Sequence, residues 1–426
     1  MTDRILRQKS PTFLRSGGEA TSPFRGANIV DAGEHNKNLV LQAIRAHGPI
    51  PRAKIARLVY LTPPSVFKIT NELAASSLIV ESGKSSGALG KPATSWSINP
   101  EGAFSLGFNI DRDHLTLVLL DFAGNVRMSF HREVMFADPK MVRTFFVDCG
   151  TKLKIEQRTA VDKLVGIGVS VPDDMGMTKL PNQPAGFVAW SDVRLETLLE
   201  GIFDLPVCLE NDAAAAAIGE MYFGGGLTSD TFFYILISAG LGGGLIVNRH
   251  YYRGAHGRSG EIGYLPQINP FRSRFSSLQK TLGDGVLLTE LYAMLCDAGI
   301  EAATPADLSG LNSVGQECVN QWIAKIADLL YLPLLGVLFG IDPDAVYVGG
   351  RLPKPILQRL CLELSKRVSL NVGSDWPQHA VRPAQLAEHA SAIGAAVLSF
   401  KSFWNQNKST AASQLNLEPR QALAPL

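Results

Sequence analysis

Cysteine is scarce and unpaired in this sequence. Cys149, Cys208, Cys296, Cys318 and Cys361 are scattered, odd in number and never spaced Cys-x-x-Cys. That excludes a disulfide framework and a cysteine-rich metal site, and it fits a reducing compartment. Long apolar runs are missing as well. No stretch reaches the ~18–20 unbroken apolar residues that a bilayer span requires. The nearest approach, Asp328 to Ile341, reads as a buried helix. Arg4, Arg7, Lys9 and Arg15 have no apolar core behind them, so the N-terminus does not read as a secretory signal. The expectation is a cytoplasmic chain with no membrane partner. Net charge is nearly absent too, at +1 over 426 residues.

That small total hides an asymmetry. Residues 36–98 carry eight Lys/Arg against two acids, Glu72 and Glu81, whereas residues 99–426 carry 27 basic side chains against 33 acidic ones. A basic module on an acidic body points to a polyanion partner for the module. Charge alone is equally satisfied by a solvated basic face.

Residues 1–33 mix Ser, Gly, Pro and Arg without periodicity and are expected to be a flexible arm. From Asn36 the pattern is helical, with Leu39/Ala43 and Val40/Ile44 at i, i+4 until His47-Gly48-Pro49. A second helix after Pro51 buries Ile55, Ala56 and Val59. A third, capped by Thr62 with prolines in its first turn, buries Val66, Ile69 and Leu73. Two short strands, 78–80 and 96–98, then flank a polar loop. The order predicts a winged helix-turn-helix over 34–98. Its third helix leaves Ser65, Phe67, Lys68 and Asn71 outward for base edges, thymine methyls or phosphates, with Lys84 and Lys91 in the wing. A small protein-interaction module is the alternative; the basic bias and the spacing favour double-stranded DNA.

After Asn99-Pro100 the texture becomes alternating α/β. Strands are expected at 104–110, 114–120, 164–170, 206–209, 231–238, 244–248 and 345–348. Helices are expected at 139–158, 192–202, 212–223, 283–297, 315–340, 353–369 and 389–402. The β-rich starts at 104 and 231 hint at a duplicated architecture. The tail, 405–426, is expected to be disordered.

Several stretches carry chemistry. Glu210-Asn211-Asp212 falls at a strand-to-helix junction, where polar groups face a crevice and the helix N-terminus favours a carboxylate. Asp212 there could accept a proton or a hydrogen bond from a substrate hydroxyl, or serve only as a helix cap. "SAGLGGG" (238–244) allows close backbone approach to a phosphate or to another chain segment. Loops 254–266 and 180–190 add Glu261 and Asn182. Together these side chains form a donor and acceptor set suited to sugar hydroxyls.

These segments, in this order and spacing over about residues 34–400, resemble the ROK family of repressors, open reading frames and kinases. The resemblance rests on "GPIPRAKIARLVYLTPPSVFKITNELAASSLI" followed by "GKPA", on "ENDAAAAAIGE", on "SAGLGGGLIVNRHYYRGAHGRSGEIGY" and on "AVYVGGRL". It implies a two-lobed actin-like ATPase (ribonuclease H-like) body over 99–404. Lobe 1 would span about 99–225 plus 386–404, and lobe 2 about 226–385. It further implies that Asp212 sits at the position of the kinases' catalytic base, and that Asn182, Asn211 and Glu261 sit at sugar-contacting positions.

Three departures argue against catalysis. The family's phosphate turn, Asp-x-Gly-Gly-Thr, is Asn109-Ile110-Asp111-Arg112-Asp113 here. Carboxylates close to phosphate oppose binding by roughly 4 kcal/mol per pair at an effective dielectric near 20. The Gly-Thr-Gly of the second phosphate loop is Ser238-Ala239-Gly240, followed by Gly242 and Gly243. The family's zinc ligands are absent: its His is Tyr264, and no cysteine occurs between Tyr264 and Cys296. Tyr264 is left to offer its hydroxyl to a ligand. The expectation is therefore a DNA-binding transcriptional regulator of carbohydrate metabolism, acting as a repressor. Its body would bind a sugar or sugar derivative as effector, without ATP, Mg²⁺ or zinc, in a homodimer or homotetramer. The alternative is an active ATP-dependent sugar kinase that carries a DNA-binding module.

Overall fold

Two five-stranded sheets with the same strand order organise the body of the protein. A computed structural model describes residues 29–85, 93–172, 189–190, 193–267, 280–371 and 380–414. In the first sheet, β4 (Phe104–Ile110), β5 (His114–Asp121) and β6 (Val126–Glu133) form an antiparallel meander. On the other side of β4, β7 (Leu164–Val171) and β8 (Val207–Asn211) add in parallel. The second sheet repeats the plan, with β9 (Phe232–Ile237), β10 (Leu241–Val247) and β11 (His250–Tyr251) antiparallel, and β12 (Ala345–Gly350) and β13 (Ala380–Pro383) parallel to β9. The two β-rich starts in the sequence are one architecture used twice.

Every residue of β4, β5 and β9 is buried; β9 is wholly apolar, whereas β4 and β5 also bury Ser105, Asn109, His114, Thr116 and Asp121. Outside the first sheet lie α4 (Pro139–Glu156), α5 (Arg158–Val161) and α6 (Leu195–Leu199), which bury Phe145, Phe146, Leu153, Ala160 and Leu199. Outside the second lie α8 (Leu288–Asp297), α9 (Ser313–Ile341) and α10 (Lys354–Asn371). Among the described residues α9 is the helix long and apolar enough to cross a bilayer. Its Val319, Trp322, Ile326, Leu330, Leu334 and Leu338 instead sit in the core of the second lobe.

Between the sheets lie α7 (Asp212–Phe223) and α11 (Ala390–Gln414). Their assignment is crossed. Helix α7, which ends the first half of the body sequence, packs on the second sheet; α11, which ends the second half, packs on the first. This moves α7 out of the lobe expected from the sequence. The layer is thin, which explains "DAAAAAIGE": a Cβ on Gly394 would lie 1.6 Å from the Ala215 carbonyl oxygen, and one on Gly107 1.9 Å from that of Ala392.

At the N-terminus, α1 (Ile29–His47), α2 (Arg52–Leu58) and α3 (Pro63–Ala75) pack on a small antiparallel sheet of β1 (Ile50–Pro51), β3 (Ala93–Ile98) and β2 (Ile79–Ser85). The Thr62 hydroxyl caps α3 by accepting from the Ser65 amide. This module shares one apolar cluster with the body, in which Val40, Leu41 and Ile44 join Val118, Leu120, Phe122 and Phe400. Arg45 fastens the joint. Its guanidinium donates to the Phe122 carbonyl (3.0 Å) and stacks on the rings of Phe122 and Phe223, and burial lowers its pKa to about 10.

The boundaries differ from expectation at both ends. Helix α1 begins at Ile29, inside the expected arm, and α11 continues to Gln414, into the expected tail. Strand β6 was not among the expected strands, although Val126, Met128 and Phe130 alternate with Arg127, Ser129 and His131 and two of them, Met128 and Phe130, pack against the core.

Candidate functional site

Two surfaces carry the candidate residues: the outward face of α3 and the crevice between the two sheets. On α3, Phe67, Lys68 and Asn71 are exposed, Phe67 to 54%, as the helical period requires once Val66, Ile69, Thr70 and Leu73 face inward. Ser65 is half-buried, its hydroxyl 2.8 Å from that of Thr62. The sequence reading missed Arg52, which organises this face. Its Nε donates to Thr70 Oγ1 (2.7 Å) and its Nη2 to Asn71 Oδ1 (2.6 Å), while the guanidinium lies between the rings of Phe67 and Trp96. Asn71 therefore presents its amide NH₂, not its carbonyl, to a partner. Lys84 lies on β2 with its side chain outside the described residues, as is all of Lys91.

In the crevice, the β4–β5 turn and the β9–β10 turn touch. The Ser238 hydroxyl donates to Asp111 Oδ2 (2.8 Å), and Asp111 Oδ1 accepts from the Arg112 amide (2.7 Å). The guanidinium of Arg112 fills the space above Gly240, where a Cβ would come within 2.8 Å of its Nη1. Ala239 is half-buried at the tip of the same turn.

Asp113 turns toward the second lobe. Its Oδ2 accepts from Arg351 Nη1 (2.6 Å), and Arg351 also pairs with Glu133 through Nη2. Its Oδ1 lies 2.6 Å from His114 Nδ1. Asn109 sets the imidazole: with its Oδ1 accepting from the Ser170 hydroxyl (2.8 Å), its NH₂ donates to His114 Nε2 (2.9 Å), leaving the imidazole proton on Nδ1 to bond Asp113. Burial pushes the Asp113 carboxyl up, but the hydrogen bond from His114 and the Arg351 guanidinium outweigh it and hold the pKa at about 2. Opposed by burial but favoured by Asp113 and Glu133, the Arg351 pKa is raised. The cation that joins this turn to the second lobe is Arg351, not the Arg112 of the turn itself.

The expected phosphate turn holds the carboxylates of Asp111 and Asp113, both hydrogen-bonded to protein, with the Arg112 guanidinium beside Gly240. The donor atoms of Asp111, Asp113 and His114 fall within 4.8 Å of one another, the spacing of a cation site. Each residue is already committed, however, to Ser238, Arg351 or Asn109.

Below the turns, the Glu-Asn-Asp segment divides its labour. Glu210 is buried and ion-paired with Arg253 of the loop after β11. Asn211 is the N-cap of α7, its Oδ1 accepting from the amides of Ala213 (2.9 Å) and Ala214 (3.0 Å). Asp212 is thus the first helical residue rather than the cap; it is half-buried, and its Oδ1 accepts from the Ala213 amide (2.7 Å). The glycines of β10 serve chain packing, one of the two roles open to them. A Cβ on Gly242 would meet Ala213 Cβ at 2.7 Å, and one on Gly243 the Gly260 carbonyl at 2.3 Å. That close approach sets the start of α7 and the loop leading to Glu261 against one strand. Glu261 is half-buried at the start of a short 3-10 turn, Ile262–Tyr264, and Tyr264 is exposed with its ring 5.8 Å from the Arg258 guanidinium. Asn182 lies outside the described residues.

Comparison with known proteins follows this geometry. Residues 106–279 match the ROK family. The chain is similar to the xylose repressor of Bacillus subtilis, at 26% identity over 84% of this chain and 93% of the relative. It is also similar to the Escherichia coli DNA-binding transcriptional dual regulator NagC, at 22% identity over 83% of this chain and 81% of the relative. Among solved structures, a ROK family transcriptional regulator homologous to the E. coli MLC protein aligns with TM-score 0.64 and 19% identity, over 90% of this chain and 99% of that one. A ROK family glucokinase from Streptomyces griseus aligns with TM-score 0.52 and 21% identity, over 70% of this chain and all of that one. These structures show a sugar-kinase-like α/β fold.

Proposed function

Because the chain carries a ROK-family domain, we propose that it is a sugar-responsive transcriptional repressor, with a winged helix-turn-helix at residues 34–98 and a body that binds sugar without phosphorylating it. The observation that carries this reading is the joining of two things in one chain. One is a basic three-helix module with a braced polar face. The other is a kinase-shaped body whose phosphate turns are closed on each other by Ser238, Asp111 and Arg112. The names of the relatives, a xylose repressor and a DNA-binding regulator, support it.

In this reading α3 enters the major groove. Lys68 neutralises phosphate, the Asn71 amide reaches an acceptor on a base or phosphate, and the Phe67 edge left open by Arg52 meets thymine methyls. Lys84 and Lys91 follow the adjacent backbone. In the crevice, Asp212 and Glu261 accept from sugar hydroxyls, while Asn211 donates through the NH₂ that capping leaves free. Sugar binding biases the two-lobed body, and Arg45 transmits that bias to α1 because the joint is packed rather than flexible. The protein acts in the cytoplasm as a homodimer or homotetramer on paired operator half-sites.

The test is DNA binding by genomic fragments selected on purified protein, with and without a sugar panel that includes xylose and N-acetylglucosamine. Expected are salt-sensitive binding to a discrete site and its loss or gain with one sugar. ADP release from ATP and Mg²⁺ that disappears in Asp212→Ala would establish the kinase alternative instead.

A further inference from the structure

Lys37 on α1 and Lys401 on α11 line one cavity of about 230 Å³ where the N-terminal module meets the body. Among the described residues, neither half-buried ammonium has an ion-pair or hydrogen-bond partner. Two such charges sharing a small cavity repel each other and favour an anion between them. His35 and His250 line the same space, stacked with ring centroids 6.2 Å apart and 10° between planes. His250 Nδ1 donates to the Asn248 carbonyl (2.7 Å), leaving Nε2 as the nitrogen available to a ligand. Glu34 is the lining carboxylate, against these basic groups.

A second feature narrows the ligand. Asn38 lines the cavity, and its Oδ1 is buried without a hydrogen-bond partner. Such an acceptor costs about 1–3 kcal/mol until a donor reaches it, and neither sulfate nor a simple ionised carboxylate carries one. Leu41 and Leu73 supply apolar wall. The volume falls below the ~300–1,000 Å³ of drug-sized sites. We propose that this cavity binds a small hydroxylated organic anion, a phosphate ester or hydroxy acid, as a second effector separate from the sugar crevice. Its anionic group lies between Lys37 and Lys401, and its hydroxyl donates to Asn38. Because α1 belongs to the module, His250 to the second sheet and α11 to the first, the bound anion touches all three parts at once.

The test uses full-length, DNA-free protein in calorimetric titration with glycerol 3-phosphate, malate, inorganic sulfate and glycerol. Saturable binding of one anion per chain is expected, with the hydroxylated anions tighter than sulfate and glycerol inert. Which of the two hydroxylated probes binds more tightly separates phosphate ester from hydroxy acid. The Lys37→Met/Lys401→Met variant, which keeps both apolar stems, should weaken binding at least tenfold; Asp212→Ala should leave it unchanged. If the double variant does not fold, Lys401→Gln serves alone. Binding retained in these lysine variants, lost in folded Asp212→Ala, or matched by glycerol would overturn the proposal. None of these readouts requires DNA or sugar, so they stand apart from the repressor reading.

Discussion

Arg351, just after β12 in the second lobe, bonds Asp113, in the β4–β5 turn of the first, at 2.6 Å with the arginine side chain only 5% exposed. Removing Asp113 leaves Arg351 with Glu133 alone, so the loss is smaller than for a fully orphaned buried charge. Asp113→Asn should therefore lower the unfolding free energy at pH 7 by about 1–2 kcal/mol, read from urea melts.

The same carboxyl predicts an acid dependence. Its pKa is lowered in the fold, from 3.8 to about 2, so its contribution is present above the unfolded value and is lost as pH falls through that window. The wild type should lose on the order of 2 kcal/mol between about pH 4 and 2 from this group. A difference curve against Asp113→Asn should carry that step. An unchanged slope in the variant would mean that the clasp is not ionic.

Lys68→Ala should weaken binding to all DNA sequences alike and reduce the slope of log K against log salt by about 0.9, the share of one phosphate contact. Sugar binding, followed by calorimetry, should be unaffected. A change in base preference instead would place Lys68 on a base edge.

Arg52→Lys keeps the charge and loses both the fork and the planar stack between Phe67 and Trp96. We expect at least a tenfold loss of DNA affinity, as Asn71 and Phe67 lose their brace, with the helical circular dichroism preserved. Wild-type affinity in this variant would show that charge alone suffices there.

Asp212→Ala and Glu261→Ala should each abolish the sugar response in a DNA-binding assay while leaving sugar-free DNA affinity within about threefold, a difference under 1 kcal/mol. Loss of DNA binding by a folded Asp212→Ala protein would contradict this division between body and module.

How much of this was legible depended on whether a residue's partner lay nearby in sequence. Helix α7 was read to its exact ends because its start carries polar groups that cap it and alanine is the strongest helix former. The face of α3 followed from helical period. Arg52 was missed because its partners are 18 and 19 residues away, and Arg351 because its partner lies 238 residues away. Neither distance leaves a periodic trace. The glycines at 242–244 kept two readings open in the sequence, and only the opposing backbone of Gly260 and the methyl of Ala213 decide between them. Helix α9 shows the reverse case, where apolar composition alone is ambiguous and the packing partner supplies the meaning.

The contact between the two turns also bears on whether a body that senses without catalysis, as proposed, could gain a phosphate cradle. Glycine restored at Asp111 removes the acceptor of the buried Ser238 hydroxyl, yet Arg112 still fills the space over Gly240. Glycine restored at Asp113 leaves a buried guanidinium with Glu133 as its remaining carboxylate. No single substitution rebuilds a phosphate cradle, and each first step loosens the protein before any activity could be regained. On the proposed non-catalytic reading the turn behaves as a ratchet: with the clasp in place, every single step toward a nucleotide loop first costs stability.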